Sequence, residues 1–471
     1  MKFWLTLLLL GVASCGGGGS EGIDPPPPPP PPPSQIVVEV FPASDILGPG
    51  GVREFQGQVE LSADSRVTWS VREGAAGGSM SGNTHAPPNS FSTYTAPDRT
   101  GVFHVVVTSV ADARASATAT LTIVPSGFRP AANMTLPREA HTATLLADGR
   151  VLVTGGDPCF GYSFIHGPED DPCPLQEAEL FDPANGNFVS TGNMNAQRAV
   201  HTATLLNDGT VLIIGGIGGG SAVAELYDPA TGAFSQTGSM SADRAAHTAT
   251  LLANGTVLVT GGGSGASVLS TAEIYDPQTR TFSAAGGTGM SAPRLWHSAT
   301  RLLSGQVLIT GGLNVSGESV ATAELYDPVA DSFTTTGGMN EARARHTSTL
   351  LNDGTVLVAG GLGHGYGRHG SADIYDPASG TFTATGILLG ERNSHFAILM
   401  PDGKVLISGG DNLASINLHG ITAEIYDPST GMFTQSGSLG MVRVLSAAVA
   451  LGDGRVLVTG GTGLPSAETY Q

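Results

Sequence analysis

An internal repeat covers most of the chain and limits what it can fold into. The unit is clearest at residues 198–238, RAVHTATLLNDGTVLIIGGIGGGSAVAELYDPATGAFSQTG. It contains four short segments of strand length, HTATLL, VLIIGG, AELYDP and GAFSQTG, and the turn Asn207-Asp208-Gly209 joins the first two. The pattern predicts that each repeat forms one four-stranded antiparallel sheet.

Two markers identify the other copies. A histidine stands at the start of the first strand in six copies, and Ser446 takes its place in the seventh. The histidines are His141, His201, His247, His297, His346 and His395. A glycine pair ends each second strand, beginning at Gly155, Gly215, Gly261, Gly311, Gly360, Gly409 and Gly460. A period of about 50 residues with these features resembles the kelch repeat, and the resemblance implies a seven-bladed β-propeller over residues 126–471.

The two ends of the repeat region predict how the ring closes. Within a repeat, an aromatic residue, an apolar residue, Arg and His follow each other at fixed spacing, as in Phe188, Met194, Arg198 and His201. The same spacing precedes the first copy, at Phe128, Met134, Arg138 and His141. The seventh copy stops after AETYQ, without a fourth strand. We therefore expect the segment at Phe128 to supply that strand and to leave no long open sheet edge.

The composition favours sheets over helices and excludes one class of partner. Charged residues make up 13% of the 471 residues, and 67 are glycine, as suits tightly packed strands joined by many turns. The formal net charge is −19. Nucleic-acid binding needs a basic stripe, which the scattered Lys and Arg residues do not form, so no nucleic-acid partner is expected.

The first residues predict export. MKFWLTLLLLGVASC has a positive start, an apolar run and small residues before Cys15, as in a secretory signal peptide over residues 1–14. Val12-Ala13-Ser14-Cys15 resembles a bacterial lipobox, which implies acylation of Cys15 and attachment to the outer membrane or cell surface. A plain signal peptide with an incidental cysteine is the alternative. Residues 15–34, rich in Gly and then in Pro, predict a tether that extends from the membrane.

Residues 35–125 predict a separate all-β domain. Short alternating segments such as VTWSV, GVFHVVVTSVA and SATATLTIV are broken by Gly and Pro, which is typical of a β-sandwich. The segment with Trp69, Tyr94-Thr95-Ala96-Pro97 and Gly101 resembles bacterial immunoglobulin-like domains of cell surfaces. We expect Trp69 and Tyr94 to pack in its core. The resemblance implies a spacer or adhesive stalk.

Residues that occur once in every repeat are interpreted as scaffold. The Arg that precedes each histidine is expected to pair with the acid of the third strand. Those acids are Glu179, Glu225, Glu273, Glu324, Asp373, Glu424 and Glu468. The histidines are expected to hydrogen-bond a loop or a strand end, since six residues at one height in different blades do not converge as metal ligands must. No metal and no cofactor is predicted.

Function is expected where the copies differ, on the face that carries the loops into the first strands. The variable positions there include Glu139, Leu295, Trp296, Arg345, Asn393 and Ser394, and the loop GLGHGYGRHGS adds His364, Tyr366, Arg368 and His369. An aromatic residue beside an arginine suits stacking on a sugar or binding of an acidic group. Packing of Trp296 against a neighbouring loop is the alternative.

The loop of the first blade holds the remaining cysteines, Cys159 and Cys173. In an exported protein they are expected to form a disulfide that closes the loop. The alternative is a metal site built from acidic and histidine side chains of the same loop, which are Asp157, His166, Glu169, Asp170 and Asp171.

These features predict a lipid-anchored surface protein whose propeller binds a protein or carbohydrate ligand. No nucleotide loop, nucleophile elbow or HExxH motif occurs in the sequence. An enzyme is the alternative, because the resemblance includes galactose oxidase and the sialic acid epimerases. A mutarotase would use an Arg and a carboxylate, here Arg345 and Glu139. A copper oxidase would need a cysteine crosslinked to tyrosine, and the cysteines here have other expected roles.

Overall fold

Nearly all regular structure is β-strand, formed by short runs rich in Val, Leu, Ile, Thr and Ala. The computed structural model describes residues 36–159, 173–287, 289–411 and 420–471. Two 3-10 helices occur in these ranges, Gly74–Gly77 and His364–Tyr366. None of the described segments is a helix of the length and apolarity that crossing a bilayer requires. The predicted signal peptide, Cys15 and tether lie outside the described residues.

The first eight strands form two four-stranded sheets. In chain order, β1 to β8 are Val37–Phe41, Ser44–Leu47, Val52–Glu60, Val67–Val71, Ser79–Ala86, Asn89–Thr95, Gly101–Ser109 and Ser116–Ile123. One sheet has the order β1-β3-β6-β5 and the other β2-β8-β7-β4, in which β2 and β8 are parallel. Alternate residues face a shared core that includes Phe55, Tyr94, Val105 and Leu121, and Trp69 packs against it. The hydroxyl of Tyr94 donates to the carbonyl of Gly77.

The repeats form seven further four-stranded antiparallel sheets, here called sheets 1 to 7. Their first strands are Thr142–Leu145, Thr202–Leu205, Thr248–Leu251, Ser298–Arg301, Thr347–Leu350, Phe396–Leu399 and Ala447–Ala450. The second strands are Val151–Thr154, Val211–Ile214, Val257–Thr260, Val307–Thr310, Val356–Ala359, Val405–Ser408 and Val456–Thr459. The third strands are Ala178–Asp182, Val223–Asp228, Ala272–Asp276, Ala323–Asp327, Ser371–Asp376, Ala423–Asp427 and Ala467–Tyr470.

The fourth strands complete each sheet. They are Asn187–Ser190, Ala233–Ser239, Thr281–Ala285, Ser332–Thr335, Thr381–Ile387, Met432–Ser436 and, for sheet 7, Phe128–Pro130. The pairing of Phe128 with Tyr470 confirms that the start of the repeat region supplies the last strand of the seventh sheet. A two-stranded hairpin, Gly263–Ser264 with Ser267–Val268, extends sheet 3 beyond its glycine pair.

The first strands form a closed ring. Each one contacts the first strand of the next sheet, and the strand of sheet 7 contacts that of sheet 1. Neighbouring sheets cover both faces of every second strand, so its four residues are all buried and apolar residues follow one another without alternation. Between sheets 1 and 2, for example, Leu152 and Leu180 pack with Val211, Ile213 and Tyr227.

The predicted pairing of each repeat arginine with the acid of the third strand is confirmed in all seven sheets. Arg294 is typical. Its Nη1 donates to the carbonyl of Gly311 at 2.8 Å, and its Nη2 donates to Glu324 at 2.7 Å. The second oxygen of Glu324 accepts the backbone N–H of Ser291 at 2.8 Å. One buried ion pair therefore ties the loop, the glycine pair and the third strand of a sheet together.

The six histidines hydrogen-bond residues at strand ends, as predicted, and these strands belong to the preceding sheet. Each Nε2 is hydrogen-bonded to a threonine hydroxyl of the preceding sheet, for example His201 to Thr154 at 3.0 Å and His247 to Thr202 at 2.9 Å. The rings are buried, and burial lowers the pKa of all six, to about 3 for His201, His247 and His395. These side chains are therefore neutral in the folded protein near pH 7.

A compensating residue accompanies the missing histidine of sheet 7. In the other six sheets, the Cε1 atom of the histidine lies over the first glycine of the preceding pair. Over Gly409, which precedes Ser446, the ring of Phe396 takes that place. Phe396 replaces the Thr or Ser that begins the first strand in sheets 1 to 5. The volume that a histidine would fill from one sheet is thus filled by phenylalanine from its neighbour.

Buried polar contacts join the first two sheets to the repeat sheets. Arg53 on β3 donates to the carbonyls of Leu439 and Gly440, at 2.9 and 3.2 Å, and pairs with Asp45 on β2. Asp45 also accepts from the hydroxyl of Ser438 at 3.0 Å. The backbones of three glycines, Gly48, Gly127 and Gly437, meet beside these contacts so closely that a Cβ atom on any of them would collide with another.

Candidate functional site

Seven residues with left-handed backbone surround one end of the ring of first strands. Each directly precedes the histidine position of its sheet, and their φ angles lie between 52° and 57°. We call them the mouth ring. They are Ala140, Val200, Ala246, Trp296, Arg345, Ser394 and Leu445.

Backbone hydrogen bonds connect the mouth ring from sheet to sheet. The N–H of Trp296 donates to the carbonyl of Ala246, the N–H of Arg345 to that of Trp296, both at 2.9 Å, and the N–H of Ser394 to that of Arg345 at 3.0 Å. A left-handed backbone is unfavourable for bulky residues such as Val and Trp, so these bonds must hold it in place. The repeat thereby points one variable side chain per sheet towards the centre.

These side chains line a cavity of about 280 Å³, here called the mouth cavity. Its wall consists of the mouth ring, the six repeat histidines and Ser446. The histidines and the backbone are common to the sheets, so the chemical character of the cavity depends on the mouth ring. Four of its members are small or aliphatic, one is serine, and the remaining two are Trp296 and Arg345.

Trp296 and Arg345 are stacked. The guanidinium carbon of Arg345 lies 4.4 Å from the centre of the Trp296 ring, within the range of a cation–π contact. Burial lowers the pKa of Arg345 to about 10, and the charge of Asp411 opposes this shift. Arg345 therefore carries its positive charge near pH 7 in partly desolvated surroundings.

Arg345 differs from the repeat arginines in its partners. Among the described residues it takes part in no ion pair, whereas each repeat arginine pairs with an acid. Its Nε is buried without a hydrogen-bond acceptor, as are those of Arg138, Arg294 and Arg343. Asp411, the acid that influences its pKa, already accepts a hydrogen bond from Nη2 of Arg368 at 2.6 Å. The mouth cavity thus contains a cation that has no carboxylate of its own within the part of the chain that the structure describes.

The other predicted site residues lie in different surroundings. Arg368 is almost buried and is paired with Asp411, so its charge is neutralised. His369 contacts Glu341 through Nδ1 at 2.8 Å and the carbonyl of Ala342 through Nε2 at 3.0 Å. His364 is exposed, and Tyr366 belongs to the same short 3-10 helix. Arg368, His369 and His364 do not line the mouth cavity.

Glu139 and Asn393 are buried rather than presented on the surface. Each precedes a mouth-ring residue and forms a β-bridge with the residue that follows a glycine pair, Asp157 and Asp411 respectively. Burial and the charge of Asp157 raise the pKa of Glu139 to about 7. In the loop into each first strand, only the second variable residue faces the mouth cavity. The sequence analysis placed both variable residues of each loop on one face and did not predict that the first of them is buried.

Cys159 and Cys173 are joined by a disulfide, with their Cα atoms 6.0 Å apart. The carboxylate of Asp157 accepts the backbone N–H of both cysteines, at 2.8 and 3.1 Å. Asp157 therefore fixes the base of the loop. The other residues of the alternative metal site, His166, Glu169, Asp170 and Asp171, lie outside the described residues.

A second cavity adjoins the mouth cavity and was missed by sequence reasoning. This side groove, of about 380 Å³, shares Val200, Ala246 and Trp296 with the mouth cavity. Ile217 and Leu295 are among its other walls. The sequence analysis named Leu295 among the variable positions but not Val200 or Ile217, because it selected mainly polar and aromatic side chains. The residue type at these positions changes from one repeat to the next, and that change is the signal in the sequence that could have identified them.

Comparison with known proteins supports the fold. Residues 244–287 match the Kelch motif. No curated protein matches the sequence. A solved structure of a fungal alcohol oxidase of the AA5 family, in complex with copper, is 19% identical, with a TM-score of 0.57 over 74% of this chain and 76% of that chain. The structure of YjhT is 14% identical, with a TM-score of 0.48 over 64% of this chain and 99% of that chain. The repeat sheets form a kelch-type propeller.

The described residues do not fit the copper chemistry of that oxidase neighbour. The propeller histidines belong to different sheets, and their Nε2 atoms are hydrogen-bonded to threonine hydroxyls. The described side chains bring metal-ligating atoms together at Asp157, Cys159 and Cys173, where the two sulfurs are joined to each other. A copper site needs several nitrogen or sulfur donors that converge on one point. We therefore derive no copper-dependent step.

Proposed function

We propose that this protein is a surface-anchored recognition protein that binds its ligand at the mouth cavity of the propeller. The observation that carries the proposal is the stacked pair of Trp296 and Arg345. An arginine that is partly desolvated, and has no ion pair among the described residues, lowers its free energy when a ligand supplies an acceptor. An aromatic side chain beside it adds contact area.

The proposal includes a finer description of the chain. Seven blades are supported by the seven repeat sheets and by the closed ring of first strands. An immunoglobulin-like domain over residues 35–125 is supported by the two packed sheets β1 to β8. The signal peptide, acylation at Cys15 and the tether rest on the sequence alone. Together they would hold the mouth cavity away from an outer membrane or cell surface.

The contacts between β2, β3 and the last sheets support a stalk that is fixed to the propeller. Arg53 is buried and bridges the two parts through Leu439 and Gly440. Such a connection would hold the β-sandwich and the propeller in a constant relative orientation.

An enzymatic function is less well supported. The mutarotase hypothesis needs Arg345 and Glu139 to act on one sugar. Arg345 lines the mouth cavity, whereas Glu139 is buried beside Asp157 and does not line it. The raised pKa of Glu139 would suit proton transfer, but its carboxyl group lies outside the cavity that holds the cation.

A binding screen tests the proposal. The full chain in detergent is applied to arrays of glycans and envelope proteins, beside a Trp296→Ala, Arg345→Ala variant. The matched control is Leu303→Ala, Arg280→Ala, which removes an exposed apolar residue and an exposed arginine from other parts of the propeller. We expect binding that the first variant loses and the control retains. Binding that survives in both variants would refute the mouth cavity as the site.

A further inference from the structure

The mouth cavity and the side groove are neighbours that share part of their lining. Trp296 lines both cavities, with Val200 and Ala246 on the rim between them. The cation is at one end, because the guanidinium of Arg345 lies 4.4 Å from the centre of the Trp296 ring. The cation and the side groove therefore both adjoin the Trp296 side chain. A short extended peptide, at roughly 3.5 Å per residue, reaches from one to the other in a few residues.

The side groove is lined mainly by apolar side chains. Val200, Ile217, Leu295 and Trp296 contribute to its wall. The polar side chains there are Ser221, Asp243 and Arg244, and the charge of Arg244 is paired with Glu273. A saccharide would lose water from many hydroxyl groups in such a groove and would regain few hydrogen bonds, which is unfavourable. An aliphatic or aromatic side chain fits the same wall without that loss.

The charges give a bound ligand a direction. Asp243 is an exposed acid on the side groove, so a ligand carboxylate there would be repelled. Arg345 at the other end has no ion pair among the described residues, while Arg368, the neighbouring cation, is already paired with Asp411. An anionic group is thus attracted to the mouth cavity and excluded from the groove.

On these grounds, and building on the proposed recognition function, we propose that the ligand is the free C-terminus of a protein whose last residues are apolar. The terminal carboxylate binds Arg345 in the mouth cavity, and a nearby apolar side chain occupies the side groove. Recognition of a chain end in this way needs both the charge and the adjacent apolar contact.

The test compares peptides that differ only at the end. Six-residue peptides carrying a fluorescent label and ending in Leu or Val, as free acids or as C-terminal amides, are titrated against the full chain by fluorescence anisotropy. We expect the free acid to bind at least about 10-fold more tightly than the amide, because the amide cannot form the charge-assisted hydrogen bond with Arg345. We also expect the free acid ending in Ser to bind more weakly than the one ending in Leu.

Three variants locate the two contacts. Arg345→Gln should remove the difference between acid and amide. Ile217→Ser should weaken the Leu-ending peptide while the acid still binds better than the amide. Arg114→Gln, which removes one exposed charge from the β-sandwich, should bind as the unaltered protein does. A further variant, Arg345→Lys, keeps the charge without the planar guanidinium group and should show a smaller preference for the acid. Circular dichroism checks that each variant is folded.

The outcomes separate this inference from the proposed function. Equal binding of acid and amide by the unaltered protein, or an acid preference that persists in Arg345→Gln, overturns the inference. Binding of an oligogalacturonate probe that depends on Arg345, without binding of any peptide, also overturns it but leaves the recognition function in place. If no ligand binds in this titration or in the array screen, both the inference and the proposed function are refuted.

Discussion

The ring of buried histidines predicts that the propeller loses stability steeply below pH 6.5. Each histidine is neutral when folded, with a pKa lowered from 6.5 to about 3 for His201, His247 and His395 and well below 6.5 for the other three. In the unfolded chain the same side chains bind protons from pH 6.5 downwards. Stability is therefore complete above pH 6.5 and falls as the pH decreases towards the folded pKa.

The size of the effect follows from the number of histidines. One such group costs about 1.4 kcal/mol per pH unit below 6.5, so six cost about 8 kcal/mol between pH 7.5 and 5.5. Glu139 acts in the opposite direction, because its folded pKa is raised from 4.5 to about 7 and it binds a proton on folding in this interval. It offsets roughly 2 kcal/mol. A net loss of about 6 kcal/mol is comparable to the whole stability of many domains.

Urea unfolding at pH 7.5, 6.5 and 5.5, followed by circular dichroism, measures this slope. His247→Gln keeps a side chain that can hydrogen-bond Thr202 but cannot take up the proton, so its slope should be about 1.4 kcal/mol per pH unit smaller. His364→Gln, which makes the same substitution at an exposed histidine outside the ring, is the matched control. A urea midpoint that stays constant from pH 7.5 to 5.5 would refute the reasoning that the ring is buried and neutral.

Three substitutions test contacts of the fold. Arg294→Met should lower the free energy of unfolding by about 3 to 5 kcal/mol, because it leaves Glu324 as a buried unpaired charge, and a second change of Glu324→Leu should restore much of it in urea unfolding. Phe396→Ala should cost about 3 to 5 kcal/mol by opening a cavity, and a cost below 1 kcal/mol in the same assay would contradict its packing role. Gly48→Ala would place a Cβ 2.6 Å from Cα of Gly127, so we expect faster proteolysis between the sandwich and the propeller, and an unchanged rate would contradict that close contact.

The elements that recur in every repeat could be predicted from the sequence. A pattern that occurs in all seven copies predicts the strand positions, the pairing of Phe128 with the last sheet and the arginine–acid pairs. The contact of Arg53 with Leu439 and Gly440 could not be predicted in this way. It joins residues nearly 400 positions apart, and no periodicity connects them.

The candidate site was predicted in part. Trp296 and Arg345 stood out because they differ from the small residues at the same position in other repeats. The sequence did not indicate that the preceding residue is directed into the sheet, which is why Glu139 and Asn393 were expected beside them. That difference depends on the left-handed backbone of the mouth ring, a conformation that local preference disfavours and that the hydrogen bonds between sheets impose.

Departures from a repeat have two physical explanations, and the structure distinguishes them. Ser446 departs from the histidine pattern, but Phe396 from the neighbouring sheet occupies the vacated space over Gly409, so the two changes balance in volume. The hydroxyl of Ser446 is buried without a hydrogen-bond partner, but it carries no charge. Arg345 departs from the small or aliphatic residues at other positions of the mouth ring, and here the neighbours do not compensate. It adds a charge that no ion pair among the described residues balances. A change that its neighbours compensate serves the fold. A change that they leave uncompensated, at the wall of a cavity, is where a ligand would complete the structure.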